Sequence, residues 1–374
     1  MPKLLYIVNV DWFFVSHRLP IALAAIRNGY EVHLVCGITD RKQYLEKLGL
    51  NVHSLPISRS SLNALEELKN LIRLWNLINT VKPDIIHSVT IKCVIYGGLI
   101  GRLCRVSNRV ASISGLGFVF IDQSPKTRAL RALVKILYRV SLGPTTKAIF
   151  QNSDDQSFFI KNKYVEKKNS ILVNGSGVDL DVFRYSKEPD TKKTVMFVAR
   201  LLKDKGVFEF VEAAKIVKRE MDVRFILVGD TDSNNPNSIT SLELEKMVQD
   251  GNIEHWGYRQ DIELVIPQAH LISLPSYREG LPKSLIEAAA CGRAVITTDV
   301  PGCRDAIQPN VTGLLVAVKD PNALAMSILK LLKSDAIRKD FGVAARVFAE
   351  DRFNLANVVS QHLKVYQAFG QPEK

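Results

Sequence analysis

No two of the five cysteines, at positions 36, 93, 104, 291 and 303, stand in a Cys-x-x-Cys pair or at a metal-ligand spacing. An odd, scattered set of this kind excludes a disulfide framework and reads as thiols kept reduced in a cytosol. No apolar run approaches the roughly 20 residues that a membrane-spanning helix needs. Residues 9–18 contain no glycine. The G-x-G-x-x-G turn that follows the first strand of a dinucleotide-binding domain is therefore missing, and an oxidoreductase of that kind is excluded. Aromatics are rare among the cations of residues 124–147, where only Tyr138 occurs. That argues against a nucleic-acid-binding module, which interleaves the two. The opening MPKLLYIVNVDWFFV has the apolar character of a signal peptide, but Asp11 interrupts it and no small-residue cleavage site follows. It is read as a first β-strand, and the protein is expected in the cytoplasm.

What is present is a globular composition, 47% hydrophobic and 24% charged, over 374 residues. That length exceeds one ordinary core and suits two domains. Charge is divided unevenly between the halves. Residues 1–187 hold 26 Lys+Arg against 13 Asp+Glu, a balance of +13, and residues 188–374 hold 24 against 25, a balance of −1. The stretch 101–150 has nine basic residues and a single acid, Asp122. The first half is thus suited to a polyanion or an anionic membrane surface, or else presents a solvated basic face.

Short β-branched runs alternate with helix-length stretches, twice over. Strands are expected at 4–9, 31–36, 84–88, 108–113 and 147–151, with helices at about 16–28, 62–81, 92–104 and 127–142. A second series follows at 194–199, 223–229, 270–275, 294–298 and 313–316, and then a helical tail from about 320 to 368. Such alternation implies right-handed βαβ units: an α/β fold of two Rossmann-like domains with parallel sheets. The expected division is 1–168, 169–350, and a C-terminal helix over 351–374 packing back toward the first domain. Ligands in such sheets bind beyond the carboxyl ends of the strands, so the site is sought in the loops there.

Two clusters stand in such loops. In PSYREGLPKSLIEAAACG (275–292), Gly280 and Pro282 mark the turn into a helix, with Glu279 before it and Glu287 within it. If the span were helical throughout, the two carboxylates would lie roughly 12 Å apart along the axis. That suits two ends of one extended ligand better than two acids flanking one bond. The first N–H groups of the helix form an anion site between them. In VARLLKDKGV (198–207), Arg200 and Lys205 flank a loop before a helix, a fork and a point charge suited to a diphosphate. Ordinary capped helices and solvated loop cations would look the same when taken singly.

Together the clusters resemble the retaining glycosyltransferases of family 4, which have the two-domain GT-B fold. Glu279 and Glu287 are similar to that family's paired-glutamate motif, ARLLKDKG to its Arg…Lys motif, and NGSGVD (174–179) to its NGVD turn with an added Ser-Gly. The resemblance implies a nucleotide-sugar donor held mainly by the second domain. Arg200 and Lys205 would bind its diphosphate, Glu279 the sugar hydroxyls and Glu287 the ribose, with the backbone of Gly280, Leu281 and Pro282 lining the rest. SRSSLNALEELKNL (58–71), SGLGFVFIDQ (114–123) and PGCRDAI (301–307) resemble the alpha-1,3-N-acetylgalactosaminyltransferases that extend undecaprenyl-diphosphate-linked sugars. This implies a UDP-sugar donor, a polyprenyl-diphosphate-linked sugar acceptor, and work at the cytosolic face of the inner membrane. The alternatives are a same-fold transferase using another UDP- or GDP-hexose, or a sugar-nucleotide epimerase.

The basic half fits such an acceptor. In PKTRALRALVKILYRVSL (125–142), Leu130, Leu133, Val134 and Leu137 share a helical face, while Arg128, Arg131, Lys135 and Arg139 fall largely elsewhere. The helix either lies on an anionic leaflet and receives a lipid diphosphate, or packs on a core with its charges in water. Trp12, Phe13 and Phe14 are a second lipid contact, or core. Two departures from the family stand out: NVDWFFVSHR lacks the Gly-rich loop after the first strand, and Ser114, beside Gly115, stands about where many members carry a histidine. His87 and His17 follow strands of the same domain and are the substitutes, although a lone histidine there is usually structural. No covalent nucleophile is evident. Two Asp-x-Asp triplets, Asp179–Asp181 and Asp230–Asp232, suit a metal-bridged diphosphate, but the Arg/Lys pair makes a metal unnecessary, and none is expected.

Overall fold

The computed structural model describes residues 1–57, 64–116, 125–233 and 235–369, without the side chains of residues 64 and 125–129. The chain divides into two units, Met1–Ser176 with Ala356–Lys374, and Gly177–Leu355.

The first unit is a seven-stranded parallel sheet: β1 (Lys3–Val10), β2 (Glu31–Gly37), β3 (Asn51–Ser54), β4 (Ile85–Val89), β5 (Asn108–Ile113), β6 (Thr146–Phe150) and β7 (Ser170–Leu172). The order is β3-β2-β1-β4-β5-β6-β7, so the winding reverses between β1 and β4. Leu4 pairs with Ile85 and Ile7 with Ser88 across that reversal. Strands buried on both faces need continuous apolar runs, which LLYIVN supplies. The second unit holds β8 (Thr194–Val198), β9 (Arg224–Val228), β10 (Glu254–His255), β11 (Leu271–Leu274), β12 (Ala294–Thr298) and β13 (Gly313–Val316). Its order is β10-β9-β8-β11-β12-β13, reversing between β8 and β11.

The division falls at 176/177 rather than 168/169, because β7 pairs with β6 and keeps the chain in the first sheet. The return falls at 355/356 rather than 350/351. Phe353 is buried in the second core, Val178 N–H donates to Phe353 O at 2.8 Å, and Leu355 N–H donates to Val178 O at 3.0 Å. The helix Leu355–Ala368 then buries Val358, Val365 and Tyr366 among Leu4, Tyr6 and Phe14 of the first unit.

The expected helix over 16–28 is two. Asp11–His17 and Leu19–Arg27 meet at Arg18, whose φ of −132° breaks the run. The aromatic triplet, just after the first strand, lies on the first of these helices: Phe14 is core, Phe13 stacks on His17, and Trp12 is exposed. Asp11 terminates β1 and is buried. Its carboxylate accepts hydrogen bonds from the N–H groups of Trp12, Thr39 and Arg41 and from the Thr39 hydroxyl, which together hold its pKa below the usual value against the opposing effect of burial. No helix among the described residues is long and apolar enough to cross a membrane.

Candidate active site

In the second unit the reversal point places the loops after β8 and β11 side by side, as doubly wound sheets do at their ligand sites. The β8 loop carries Arg200 and Lys205 and ends at Gly206, whose φ is +78°. A Cβ at Gly206 would stand 2.1 Å from Pro275 O, so only glycine lets this loop lie against the start of the β11 loop. Tyr277 N–H donates to Asp204 O at 2.8 Å and locks the two together.

That closeness brings Lys205 to Glu279, whose side chains form an ion pair between Nζ and Oε1. The Ser276 hydroxyl lies 2.8 Å from the same Oε1 and 3.0 Å from Asp204 O. Beneath them, Glu279 N–H donates to Pro301 O at 3.1 Å in the loop after β12. Gly302 there has φ of +81°, and a Cβ on it would meet Glu279 O at 2.5 Å. Asp204 is largely buried next to the pair. Burial pushes its carboxyl pKa up and the Glu279 charge adds to this, while Lys205 opposes both.

The other sequence candidates divide. Arg200 turns away from Lys205's partner to Asp232, 2.7 Å from Oδ2, in the loop after β9. Asp232 is itself steadied by its N–H donating to Ser238 Oγ at 2.8 Å. Glu287 is buried on the helix Lys283–Ala290 and lies 3.1 Å from Lys283 Nζ, one turn away. Burial raises its carboxyl pKa and Lys283 opposes the rise. The span between the two glutamates is not helical throughout: Pro282 caps the helix with extended ψ of 119°, so the 12 Å axial spacing does not apply. Leu281 belongs to the core, Gly280 stands at a bend before the helix, and the N–H groups of Lys283 and Ser284 lack intrahelical acceptors by construction. One acid of each Asp-x-Asp triplet accepts backbone hydrogen bonds. Asp179 Oδ1 accepts from the N–H groups of Asp181 and Val182, and Asp230 accepts from Tyr258 N–H at 3.0 Å. Sequence reading passed over Ser276 and Tyr277, although both stand in the PSY segment. Tyr277 Oη donates to Glu209 at 2.6 Å, and Lys319 sits 5.0 Å from its ring centroid.

In the first unit, His87 is fully buried with both nitrogens engaged, Nδ1 to Tyr366 Oη at 2.6 Å and Nε2 to Ser112 Oγ at 2.7 Å. Burial, then His362 and Arg18, lower its pKa well below the ordinary value. Both ring nitrogens are thus taken up inside the first unit, and neither faces solvent. His17 stacks on Phe13 at 4.1 Å between centroids, with Nδ1 3.2 Å from Phe13 O. Ser114 and Gly115 follow β5 and are partly exposed; residues 117–123 of that segment and 58–63 of the other lie outside the described residues, as does the Arg128 side chain. Arg131 is half-buried on the helix Pro125–Leu142.

The apolar face expected on that helix is divided too. Val134 is buried, and Leu130 and Leu137 pack on the same core, while Leu133 is exposed. With Ile136 and Val140 it forms a second, outward row at spacings of three and four. The helix Ala64–Val81 shows another such row, Leu65, Leu68, Ile72 and Trp75, beside exposed Lys69 and Arg73. Both helices pack against the helix Ile91–Leu103.

Residues 181–348 match the model of the family described as Glycosyl transferases group 1, and residues 3–152 that described as Glycosyl transferase 4-like. The chain is 31% identical over 376 residues to N,N'-diacetylbacillosaminyl-diphospho-undecaprenol alpha-1,3-N-acetylgalactosaminyltransferase of Campylobacter jejuni, covering 94% of this chain and 97% of that one. It is 26% identical to UDP-Gal:alpha-D-GlcNAc-diphosphoundecaprenol alpha-1,3-galactosyltransferase of Escherichia coli, over 81% and 80% of the two chains. Among solved structures, Anabaena HepE in complex with UDP and glucose superposes with a TM-score of 0.79 at 17% identity, covering 98% of this chain and all of that one. WaaG, a glycosyltransferase involved in lipopolysaccharide biosynthesis, does so with a TM-score of 0.77 at 15% identity, over 97% and 99%. Two doubly wound sheets, the paired glutamates and these likenesses agree: the chain is a glycosyltransferase of the group 1, family 4-like class with the GT-B fold.

Proposed function

We propose that the protein transfers a hexosamine, N-acetylgalactosamine, from UDP to a polyprenyl-diphosphate-linked sugar, with retention and an alpha-1,3 linkage. The observation that carries the donor site is the meeting of Lys205, Glu279 and Ser276 at the reversal point between β8 and β11. The sugar and the acceptor rest on likeness to the Campylobacter transferase, whose name specifies both. The Escherichia coli relative supports a second reading in which UDP-Gal is the donor.

On this reading Lys205 and Arg200 take the donor diphosphate and stabilise the charge that grows on it as the glycosidic bond breaks. Arg200 exchanges Asp232 for phosphate oxygens. Glu279 holds sugar hydroxyls, Glu287 the ribose, and the backbone of Gly280, Leu281 and Pro282 lines the site beside the Lys283 helix start. The acceptor hydroxyl attacks from the face the diphosphate leaves, and its proton passes to that diphosphate. Catalysis is then positioning plus electrostatics, with no metal and no covalent enzyme intermediate. The exposed rows on helices 64–81 and 125–142, with the cations beside them, rest on an anionic membrane at its cytosolic face and bring the enzyme to a lipid acceptor.

The test is a thermal-shift screen with UDP, GDP, UDP-GalNAc, UDP-GlcNAc and UDP-Gal, with and without EDTA, followed by product analysis on a short polyprenyl-diphosphate sugar. Stabilisation by uridine nucleotides that EDTA leaves unchanged, with alpha-linked GalNAc on the lipid product, supports the reading. A galactose product replaces the donor sugar; a guanosine preference discards UDP.

A further inference from the structure

Arg18 is only 1% exposed, yet it has no acidic partner among the described residues. A guanidinium carries five N–H donors. Here Nη1 donates to His17 O at 2.9 Å and to Ser176 Oγ at 3.3 Å, Nη2 reaches Ser114 Oγ only at 3.5 Å, and Nε has no partner. Its ring neighbours bring no negative charge. Tyr6 and Tyr366 are hydroxyls whose pKa burial drives upward, and His87 and His362 are held neutral by burial. A buried cation without a counter-ion is a standing penalty that folded proteins avoid unless an anion arrives to offset it.

The place suits such an anion. Arg18 stands at the break between the first two helices, at the carboxyl edge of the first sheet. Ser114 follows β5, and Ser176 lies in the turn after β7. Both serines adjoin glycines of positive φ, Gly115 at +96°, Gly175 at +71° and Gly177 at +76°, so the backbone there has no side chain to hold a ligand away. Ser114 and Gly115 are partly exposed although Arg18 is not. A ligand therefore meets residues 114 and 115 first and takes over the long Nη2 contact.

We propose that Arg18 is the anion-binding residue of the first unit and receives a phosphate oxygen of the acceptor's diphosphate at the Ser114–Gly115 turn. This rests on the acceptor reading above and deepens it. The donor diphosphate already has Arg200 and Lys205 in the second unit, whereas the first half, with its balance of +13, has no other buried cation at this edge with an orphaned donor among the described residues. Arg18 binds; it takes no part in the bond exchange.

The experiment compares the full chain with Arg18→Gln and Arg18→Lys, using farnesyl diphosphate, inorganic pyrophosphate and UDP as probes in calorimetry and thermal shift. Arg18→Gln is expected to melt no lower than the parent, since it removes an uncompensated charge, and to bind farnesyl diphosphate at least about tenfold more weakly. UDP affinity stays unchanged, and in steady state the acceptor KM rises while the donor KM does not. Arg18→Lys, which keeps the charge and loses the fork, falls between. An equal loss for pyrophosphate assigns the recognition to the phosphates, and a smaller one to the lipid diphosphate as a whole; both support the proposal. Unchanged farnesyl diphosphate affinity in Arg18→Gln, no binding by the parent, or a loss confined to UDP overturns it. A variant that melts several degrees lower with affinity intact also overturns it and makes Arg18 a structural residue. If no protein binds UDP while farnesyl diphosphate binding still depends on Arg18, the donor reading fails and this one stands.

Discussion

Lys205 and Glu279, 74 residues apart in the chain, share an ion pair that the sequence presents as two separate motifs. The cation expected to hold a diphosphate and the acid expected to hold a sugar are thus a single electrostatic unit. Its members are mostly screened from water, with side-chain exposures of 20% and 11%.

Removing the acid separates its two effects. Glu279→Gln leaves Lys205 without its counter-charge, so UDP binds at least as tightly as before, while kcat falls by about 100-fold or more for loss of a positioned polar group at the reacting sugar. Calorimetry with UDP and an initial-rate assay check both. A variant with full activity removes Glu279 from the site.

Asp232 lies 2.7 Å from Arg200, the cation that on the proposed reading would take the donor diphosphate. Asp232→Asn releases the guanidinium, and because the pair is partly exposed its strength is modest, about 0.2–1 kcal/mol. UDP is expected to bind up to about fivefold more tightly, and Arg200→Ala to cancel that gain. Weaker binding in Asp232→Asn, with the fold intact, would show that Asp232 helps hold the nucleotide.

Gly206→Ala places a Cβ 2.1 Å from Pro275 O at a φ of +78°. The strain costs about 1–3 kcal/mol and spreads the β8 and β11 loops. Urea unfolding should show a lower midpoint, and UDP affinity should fall with it.

Stability should drop on mild acidification. Burial lowers the pKa of His362 to about 3 and that of His87 well below its ordinary value, so both stay neutral in the folded chain. The unfolded chain takes up protons below about 6.5, hence the stability they carry is present above that pH and is lost progressively as pH falls from there toward the folded His362 value of about 3. Urea midpoints between pH 7.5 and 4.5 measure the slope, and His362→Phe should make it shallower. An unchanged slope would assign the acid sensitivity to other groups.

Replacing Leu133, Ile136 and Val140 together with serine should weaken binding to phosphatidylglycerol vesicles without lowering the melting temperature, since none of the three is in the core. The same triple change at Leu130, Val134 and Leu137 should unfold the helix from its core instead. Co-sedimentation at two salt concentrations separates the apolar from the ionic part.

The long buried strands were legible because a strand covered on both faces must be continuously apolar, as LLYIVN and FILV are. The edges β3, β7 and β10 were not: four, three and two residues with polar members leave no pattern to read. At the site, the loop positions of Arg200, Lys205 and Glu279 followed from strand ends, but their partners did not. That Arg200 lies on Asp232 while Lys205 lies on Glu279 depends on which loops the sheet order sets side by side. His87 misled for a related reason. A histidine at a strand end looks the same in sequence whether it faces a ligand or, as here, Tyr366 from a helix 279 residues later. On helix 125–142 the 3.6-residue period picked out Leu130, Val134 and Leu137 but also Leu133, which belongs to a second, outward row; only packing decides which row is covered.

The helix Leu355–Ala368 makes the first unit discontinuous in sequence, with the whole second unit as an insertion between its two parts. Tyr6 Oη and Tyr366 Oη, 2.7 Å apart, are joined across 360 residues, so a chain emerging from the ribosome holds its first sheet with one flank uncovered until the last helix is made. The inserted unit has all its strands by residue 316 and the last residue of its core, Phe353, before Tyr366 is made, so it can close on itself earlier. Synthesis therefore runs middle-first in terms of finished cores. Loss of the last helix would expose Leu4, Tyr6 and Phe14 as a sticky face at the opposite end of the sequence.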